Sequence, residues 1–446
     1  MYSYWLDKEK DKKRKFERLN KNIDVDVCIV GGGFTGLSTA YYLAKNSDLK
    51  IAVLEKDLIG EKTSGHSTAK ITSQHDLFYK YLIDSKGFDF AKGYLEANEE
   101  AILEIKKIIE DEDIDCDFEI TDSYVYTEDD DEVQKIETEI KAVNLIRSDL
   151  CELVGSVSLP RKIKAGIKFK NQAMFNPVKY INGLSLALEK MGVMIFDNSK
   201  VLDIRNEDGK YSVICEESEV RSDFVVLATR YPIINVPGFY FLKMYQSTSY
   251  VICADTKSDL FEGIYITSES PKISFRTIKD GDKRLLLVAG FDHKTGEEVI
   301  EEERYSNLEN IVREMYPNSE IVGRWLAEDC IGLDKIPYIG EYSNIMKNFY
   351  VGTGYKKWGV TSSNIAGRII SDKILGKENK YDEIFKSTRV EPIKNSKELG
   401  NMIKQSVKSL VIDKLKVPKE TIDDLKLDEG KIVEVEGRKV RNIQRY

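Results

Sequence analysis

Apolar and polar positions alternate along the chain in a way that predicts a mixed α/β protein. Val25–Val30 is a short apolar run rich in β-branched residues, which predicts a buried strand. Apolar residues at helical spacing follow from Leu37 to Ala44, and Ile51–Leu54 predicts a second strand. Phe224–Thr229 is a further apolar run, typical of the interior of a parallel sheet. We therefore predict an α/β core built on parallel strands.

The pattern changes between residues 240 and 290, where short strands recur at close spacing. This recurrence indicates a mixed, largely antiparallel α+β second lobe. The strands predicted there are Tyr245–Ala254, Ile264–Ser268, Ile273–Ile278 and Leu285–Ala289. Before this lobe, Val201–Ile204 and Tyr211–Cys215 predict a hairpin across the turn at 207–209. After residue 377 the chain is Lys-rich and poorly patterned, although Val433–Val440 predicts a last hairpin.

A glycine-rich turn connects the first predicted strand to its helix. Gly31, Gly33 and Gly36 form the pattern G-x-G-x-x-G, and Glu55 follows the second strand. Gly31 permits the tight turn, Gly33 lets the backbone approach a pyrophosphate, and Gly36 lets helix and strand pack closely. The helix N-terminus offers free N–H groups to phosphates, and the Glu55 carboxylate accepts ribose hydroxyls. Together these parts predict a Rossmann-like, dinucleotide-binding unit.

Composition and charge limit the classes of function. The chain has 446 residues, 41% hydrophobic and 32% charged, as expected of a globular protein with two or three lobes. A net charge of −9 without a basic stripe argues against nucleic acid as a partner. No apolar run reaches membrane-spanning length, and six scattered cysteines favour reduced thiols in the cytoplasm. Only three histidines are present, and no metal site is predicted.

The Rossmann-like unit alone fits either NAD or FAD, and three later features favour FAD. The unit lacks the adjoining catalytic half, with general acid or base histidines, that dehydrogenases often supply. The small polar loop at 64–70 is placed to follow a longer cofactor away from its pyrophosphate. The glycine-rich turn at 352–359 leads into a helix starting near Val360. The N-terminus of such a helix would stabilise negative charge on a reduced flavin.

Five motifs carry a family resemblance across roughly residues 24–376. They are Val30–Gly36 with Glu55, Thr63–Lys70, Val225–Thr229, Pro337–Gly340 and Gly352–Thr361. In this order they resemble the FAD-dependent superfamily of D-amino-acid oxidase, glycine oxidase and sarcosine oxidase. Within it, Tyr4–Leu6, Ser67–His75 and Asp334–Gly340 are similar to a bacterial subgroup that carries a C-terminal Rieske [2Fe–2S] domain.

The resemblance implies a flavin domain assembled from discontinuous segments and capped by a mixed sheet that covers the isoalloxazine. It also implies hydride transfer from a C–H beside an amine to flavin N5, followed by hydrolysis of the imine. The flavin performs the redox step, and the protein supplies orientation, a dry site and electrostatics. The expected segments are an N-terminal arm (1–22), flavin-binding parts (23–112, 171–237, 326–376), substrate-domain parts (113–170, 238–325) and a C-terminal tail (377–446).

The motifs and the resemblance assign non-covalent FAD contacts to residues of all three flavin-binding parts. The expected contacts are Gly31, Gly33, Phe34, Thr35, Gly36, Glu55, Lys56, Thr63, Ser64, Thr68, Ala69, Lys70, Val201, Ala228, Thr229, Gly354, Trp358, Gly359, Val360 and Thr361. For Trp358, and for Tyr355 nearby, stacking near the flavin ring and core packing are equal alternatives.

Lys70 is the first catalytic candidate, because it matches the position where sarcosine oxidases place an arginine over the flavin. The expected role is to polarise the flavin or to bind a substrate carboxylate. The alternative is a surface or ion-paired lysine, since lysines are rarely buried without a partner. The family's second substrate-binding arginine is replaced by Ser73 here, so Tyr250 and Arg276 on second-lobe strands are candidates to substitute for it.

Other reactive residues leave alternatives open. Glycine oxidase's carboxylate-binding arginine falls near Asp329 or Cys330 in this chain. Cys330 suggests a covalent flavin, as in some sarcosine oxidases, but the local spacing differs and buried packing is the favoured interpretation. His66 and His293 are possible proton carriers, and His66 is expected to form hydrogen bonds in the cofactor loop rather than to act in catalysis.

The chain departs from the Rieske-containing subgroup at its C-terminal end. A Rieske centre needs two cysteines and two histidines, yet no Cys follows Cys330 and no His follows His293. We therefore expect no iron–sulfur cluster in this chain, and the hairpin at 433–440 is expected to be the opening of such a domain, cut short.

The sequence predicts a cytoplasmic FAD-dependent oxidoreductase that oxidises a small amine or amino acid. The expected electron acceptor is oxygen or another, unidentified molecule. Two alternatives remain open: an electron-transfer component for a separate iron–sulfur partner, and a non-catalytic FAD-binding remnant.

Overall fold

A computed structural model describes residues 2–389 with their side chains, and residues 430–435 and 438–443 as backbone. The helices are α1 (Tyr4–Glu9), α2 (Phe34–Asn46), α3 (Tyr79–Lys86), α4 (Phe88–Asp111), α5 (Val133–Ile146), α6 (Pro177–Lys190), α7 (Glu301–Met315), α8 (Gly359–Ile374) and α9 (Asp382–Phe385). The strands are β1 (Ile23–Val30), β2 (Ile51–Leu54), β3 (Lys70–Ile71), β4 (Glu119–Thr127), β5 (Cys151–Val154), β6 (Ala165–Met174), β7 (Met194–Phe196), β8 (Asp203–Glu207), β9 (Lys210–Ile214), β10 (Glu219–Leu227), β11 (Met244–Asp255), β12 (Ile264–Thr267), β13 (Ile273–Asp280), β14 (Lys283–Lys294), β15 (Glu320–Gly332), β16 (Tyr338–Glu341), β17 (Phe349–Thr353), β18 (Gly430–Val435) and β19 (Arg438–Ile443).

The first sheet has the order β16-β17-β10-β1-β2-β7 and is parallel through its centre. Strand β10 lies between β1 and β17, which confirms that the apolar run beginning at Phe224 is an interior strand. Because these strands are parallel, their carboxyl ends meet at one edge of the sheet. The glycine turn, Glu55 and Ala228–Thr229 all follow strands at that edge.

The second sheet has the order β15-β11-β14-β13-β12-β4-β6-β3 and is antiparallel except between β12 and β4. The prediction of a mixed α/β fold with a largely antiparallel second lobe is confirmed. The expected segment boundaries remain a prediction. Strand β15 crosses the boundary expected at residues 325 and 326, because it pairs with β11 from Glu320 to Gly332.

One predicted strand is shifted by two residues. The hairpin partner expected at Val201–Ile204 is observed as β8, which starts at Asp203 and pairs with β9. Val201 therefore precedes the hydrogen-bonded ladder and lies in a loop.

The N-terminal arm packs on the body through apolar side chains, as expected from its sequence. Trp5 and Leu6 of α1 are buried, and so is Leu19 further along the arm. The backbone N–H of Phe16 donates to the Asp197 carboxylate at 2.9 Å. The arm is thus anchored at several points.

The described residues up to 238, together with 244–389, form one compact unit. Its last residue, Arg389, forms a buried ion pair with Asp334, with an Nε–Oδ2 distance of 2.6 Å. The hairpin of β18 and β19 belongs to a second unit and confirms the hairpin predicted around 433–440; the rest of the C-terminal tail lies outside the described residues. None of the described helices is long and apolar enough to cross a membrane.

Candidate active site

A cavity of about 1070 Å³ lies at the carboxyl edge of the first sheet and extends to the second sheet. Its wall includes Val30 and Leu54, where β1 and β2 end, and Val251 and Ala289 from the second sheet. Of the expected cofactor contacts, the wall contains Gly31, Gly33, Phe34, Thr35, Glu55, Lys56, Thr63, Ser64, Thr68, Lys70, Val201, Ala228, Thr229, Gly354, Trp358, Gly359 and Val360. The remaining three, Gly36, Ala69 and Thr361, are buried and are not part of the wall.

The glycine turn has no room for side chains where the backbone bends. Gly31 has a φ of +112°, and a Cβ there would lie 2.7 Å from the carbonyl oxygen of Ala228. A Cβ on Gly36 would lie 2.0 Å from the carbonyl oxygen of Gly31, so this glycine allows close packing of helix and strand. Gly33 lines the cavity directly before α2. Gly31 and Gly36 therefore have the structural roles expected from the motif, and the approach of a pyrophosphate to Gly33 stays a prediction.

Glu55 links the glycine turn to the cavity. Its Oε2 accepts the Gly32 N–H at 2.9 Å, and its Oε1 accepts the Asp57 N–H at 3.1 Å. Burial raises the pKa of this carboxyl, which the two N–H donors partly offset. Glu55 is thus held at the wall, where a ribose hydroxyl of a dinucleotide would reach it.

The polar features of this cavity fit FAD. Helices α2 and α8 both begin at the wall, at Phe34 and Gly359, so two positive helix ends lie at one cavity. Thr229 lines the wall, and its buried Oγ1 has no hydrogen-bond partner within the described residues. A bound polar ligand would satisfy this hydroxyl. These features fit an elongated polar ligand such as FAD, and the expected positions of its pyrophosphate near α2 and its flavin near α8 stay predictions.

Lys70 lines the cavity wall as a half-buried side chain and has no acidic partner in the described part of the chain. Its backbone pairs with Met174 across β3 and β6. Burial, followed by the nearby charges of Arg276 and Lys357, lowers the pKa of Lys70 to about 7. No ion pair of Lys70 is observed among the described residues, and its catalytic role stays a prediction.

Several charged residues complete the wall on the side of the second sheet, and sequence reasoning missed them. Lys272 forms an ion pair with Asp76, and Lys357 forms one with Asp292 at 2.9 Å. Lys356 is half-buried, with its Nζ 3.9 Å from the centre of the Phe78 ring. Burial lowers the pKa of Lys356 to about 8. In the sequence, the adjacent residues Lys356 and Lys357 within the Gly352–Thr361 motif could have indicated that charged side chains lie at the cavity.

Asp329 is a further wall residue with an unusual environment. It accepts the backbone N–H groups of Cys330, at 2.7 Å, and of Lys357. Burial raises the pKa of Asp329 to about 6. Glycine oxidase's carboxylate-binding arginine is expected to fall near Asp329 or Cys330. This chain therefore has a carboxylate near that position, and backbone N–H groups hold it in place.

His75 supports Trp358 from behind the wall. The two rings stack at 4.8 Å with an interplanar angle of 15°. His75 Nε2 lies 2.8 Å from the Thr72 carbonyl, which can only accept, so Nε2 carries the proton and Nδ1 accepts from the Tyr94 hydroxyl. Burial lowers the pKa of His75 to about 3, so the ring stays neutral. Sequence reasoning did not single out this histidine.

Tyr250 and Arg276 are not part of the cavity wall. Tyr250 points to the other side of β11, where its ring lies 5.1 Å from Tyr305 and 5.7 Å from His293. Arg276 donates hydrogen bonds to the carbonyl oxygens of Thr68, Ala69 and Phe175. Both side chains are therefore used in packing and in backbone support rather than at the cavity surface.

The remaining candidates are divided between wall and core. His66 and Tyr355 line the cavity, and the Tyr355 hydroxyl lies 2.9 Å from Thr35 Oγ1. Cys330 and His293 do not line it. All six cysteines are free and buried. No group of three His, Cys, Asp or Glu side chains within the described residues could hold a metal ion.

Comparison with known proteins identifies the family. Residues 26–373 match the family model described as DAO, FAD dependent oxidoreductase. A Bacillus subtilis (strain 168) protein named as the Rieske 2Fe-2S iron–sulfur protein YhfW is 33% identical over 425 residues, covering 95% of this chain and 83% of that protein. Gamma-glutamylputrescine oxidoreductase of Escherichia coli (strain K12) is 23% identical over 386 residues, covering 82% and 87%, respectively.

A solved structure shows the same fold. Glycine oxidase from Geobacillus kaustophilus matches with a TM-score of 0.71 and 16% identity, covering 82% of this chain and 99% of that one. The resemblance to the glycine oxidase superfamily is confirmed, and a relative named as a Rieske protein agrees with the expected subgroup. The chain belongs to the family of FAD-dependent oxidoreductases.

Proposed function

We propose that this protein oxidises the C–N bond of a small amine or amino acid, using non-covalently bound FAD. One observation carries the proposal: Lys70 lies in the wall of a cavity that suits FAD, has no acidic partner among the described residues, and has a pKa lowered by desolvation. A buried cation is costly unless an anion compensates it. A substrate carboxylate, or negative charge on the flavin, would supply that compensation.

The residues around the cavity suit this reaction. When bound, FAD supplies the acceptor for a hydride from the C–H beside the nitrogen, and water then hydrolyses the imine. The N-terminus of α8 contributes the positive end of a helix dipole at the wall. Strands β11 and β14 contribute the apolar side chains of Val251 and Ala289 to the cavity wall. Below a pH of about 7, protonated Lys70 holds positive charge at the wall.

The relatives support the same class of substrate. By their names, one relative acts on gamma-glutamylputrescine, and the structural neighbour acts on glycine. We propose a substrate of the same chemical class, an amine that also carries a carboxylate. Six free, buried cysteines fit a reducing compartment, so the cytoplasm is the proposed location.

The test is an anaerobic screen of amines and amino acids with the FAD-loaded protein, followed by admission of air. We expect at least one compound to bleach the flavin absorbance, and air to restore it with release of peroxide. Free FAD with the same compounds is the control. If no amine or amino acid bleaches the flavin, the proposed reaction is wrong.

A second candidate is an electron-transfer component that serves a separate iron–sulfur protein. The observation that favours it is the relative named as a Rieske protein, which this chain matches over most of its length. In that case the flavin would be reduced by substrate but would react slowly with oxygen. A [2Fe–2S] protein added as acceptor would then restore the flavin absorbance faster than air does.

The flavin should be released by acid. Cys330 is fully buried, burial raises the pKa of its thiol, and it does not line the cavity. A thiol that is protonated and out of reach forms no bond to flavin. We expect acid precipitation to leave a colourless pellet, and Cys330→Ala to retain as much FAD as the wild type. Cys253→Ala, another fully buried cysteine, is the matched control. A yellow wild-type pellet that becomes colourless only in Cys330→Ala would contradict this prediction.

A further inference from the structure

The small polar loop at 64–70 is here called the cofactor loop. Its residues 65–69 are held on the side away from the cavity by side chains from distant parts of the chain. Each of its five consecutive carbonyl oxygens accepts a hydrogen bond from a side chain outside the loop. The donors are Ser3 Oγ to Gly65, Trp325 Nε1 to His66 at 3.0 Å, Trp5 Nε1 to Ser67 at 3.1 Å, and Arg276 to Thr68 at 2.6 Å and to Ala69 at 2.7 Å.

The four donors form one buried layer. Ser3 and Trp5 belong to the N-terminal arm, whereas Arg276 and Trp325 belong to strands of the second sheet. All four side chains are at most 3% exposed. The Arg276 guanidinium lies 5.6 Å from the centre of the Trp5 ring, so the arm and the sheet support each other. Buried donors without their acceptors would be costly, which ties this layer to the loop.

This layer determines which groups the loop presents to the cavity. In a trans peptide the C=O and N–H point in opposite directions. Holding the Ser67 carbonyl against Trp5 therefore turns the Thr68 N–H toward the opposite side, where Thr68 forms the wall. Ala69 has a φ of +51°, a left-handed conformation that alanine adopts only when its surroundings impose it. Lys70, the next residue, enters the wall from this bend.

We infer that Trp5 and Ser3 are positioning residues for the flavin, which makes the N-terminal arm a working part of the cofactor site. They hold the carbonyls of the cofactor loop away from the cavity and present the Thr68 N–H, together with the Thr68 and Lys70 side chains, to FAD; the N–H groups of His66, Ser67 and Ala69 are used in hydrogen bonds within the loop and its flanks. The arm precedes residue 26, where the match to the family model begins. Its side chains thus extend the cofactor site beyond the family match.

The test is titration of the apoprotein with FAD, comparing Trp5→Phe with the wild type. Phenylalanine keeps an aromatic ring against Arg276 but leaves the buried Ser67 carbonyl without its donor. We expect FAD to bind about tenfold more weakly, because an unsatisfied buried acceptor disfavours the bound loop conformation. We also expect a shift in the visible absorbance and circular dichroism of the bound flavin.

Tyr4→Phe is the matched control, since it removes a hydroxyl from the same helix. That hydroxyl lies near Asp280, which raises the pKa of Tyr4, and forms no hydrogen bond to the cofactor loop among the described residues. We expect Tyr4→Phe to bind FAD within about twofold of the wild type, and with an unchanged flavin spectrum. Equal weakening by Tyr4→Phe and Trp5→Phe would overturn the inference, because general loosening of the arm would then explain both.

Ser3→Ala serves if Trp5→Phe does not fold. It removes the donor to Gly65 and should weaken FAD binding severalfold, while hydrogen exchange of the apoprotein should speed up at 64–70. Wild-type FAD affinity and wild-type exchange in Ser3→Ala would overturn the inference. The FAD titration and the hydrogen exchange use no amine substrate. Their results therefore test the role of the arm even if the proposed amine oxidation is wrong.

Discussion

Replacing Gly33 with valine should yield a folded protein that purifies without FAD. Gly33 lines the cavity directly before α2, where the motif requires close approach of the backbone to a pyrophosphate. A Cβ at this position would lie 2.8 Å from Ser64 Oγ, which already accepts the Phe34 N–H at 3.1 Å. Ser64 therefore cannot move aside without leaving that N–H unpaired. The two further methyl groups of valine would add bulk at the phosphate position.

We expect the FAD affinity of Gly33→Val to fall at least about 100-fold, which corresponds to roughly 3 kcal/mol. The measurements are the ratio of visible to ultraviolet absorbance after purification, and titration of the apoprotein with FAD. Gly155→Val is the matched control, because a Cβ on Gly155 meets nothing within 4 Å and Gly155 is not in the cavity wall. A fully yellow Gly33→Val protein would refute the placement of the phosphates.

The cofactor half of this site could be predicted because its signals are local. A strand, a glycine turn and a helix are adjacent in the sequence, and an apolar strand such as β10 signals the interior of a parallel sheet. Parallel strands bring their carboxyl ends to one edge, so Glu55 and Thr229 reach one cavity although they are distant in sequence. Local patterns together with sheet geometry therefore bring most of the expected FAD contacts to one cavity wall.

The part of the cavity wall formed by the second sheet could not be predicted in the same way, because it depends on strand faces and long-range pairs. Ser249 and Val251 line the cavity, whereas Tyr250 between them points to the opposite side of β11. A strand that is buried on both faces has no polar alternation to reveal its orientation. The role of Arg276 likewise depends on long-range contacts. The fold brings the carbonyl oxygens of residues 68, 69 and 175 to its guanidinium, and nothing in the sequence indicates these hydrogen bonds.

Replacing Lys70 with methionine should leave FAD bound but slow its reduction by substrate about 100-fold, the size of effect seen when a preorganised electrostatic group is removed. Methionine has a similar length and fills the same space without charge. The measurement is the rate of flavin bleaching under single-turnover, anaerobic conditions. Lys62→Met is the matched control, because Lys62 also lines the cavity but is half-exposed and paired with Asp57 at 3.2 Å. Unchanged reduction in Lys70→Met would assign Lys70 a structural role.

The pH dependence gives Lys70 a second, independent test. Because burial lowers the pKa of Lys70 to about 7, its charge is present below that pH and is lost above it. Binding of a carboxylate-bearing substrate or inhibitor to the FAD-loaded wild type should therefore weaken as the pH rises from 6 to 9. Lys70→Arg keeps its charge throughout this range, so its affinity for the carboxylate should stay high and should not change with pH. Lys70→Met has no charge at this position, so its affinity should be low and should not change with pH. A sloping profile in Lys70→Met would assign the titration to another group of the wall, either Asp329, whose pKa is raised to about 6, or Lys356, whose pKa is lowered to about 8.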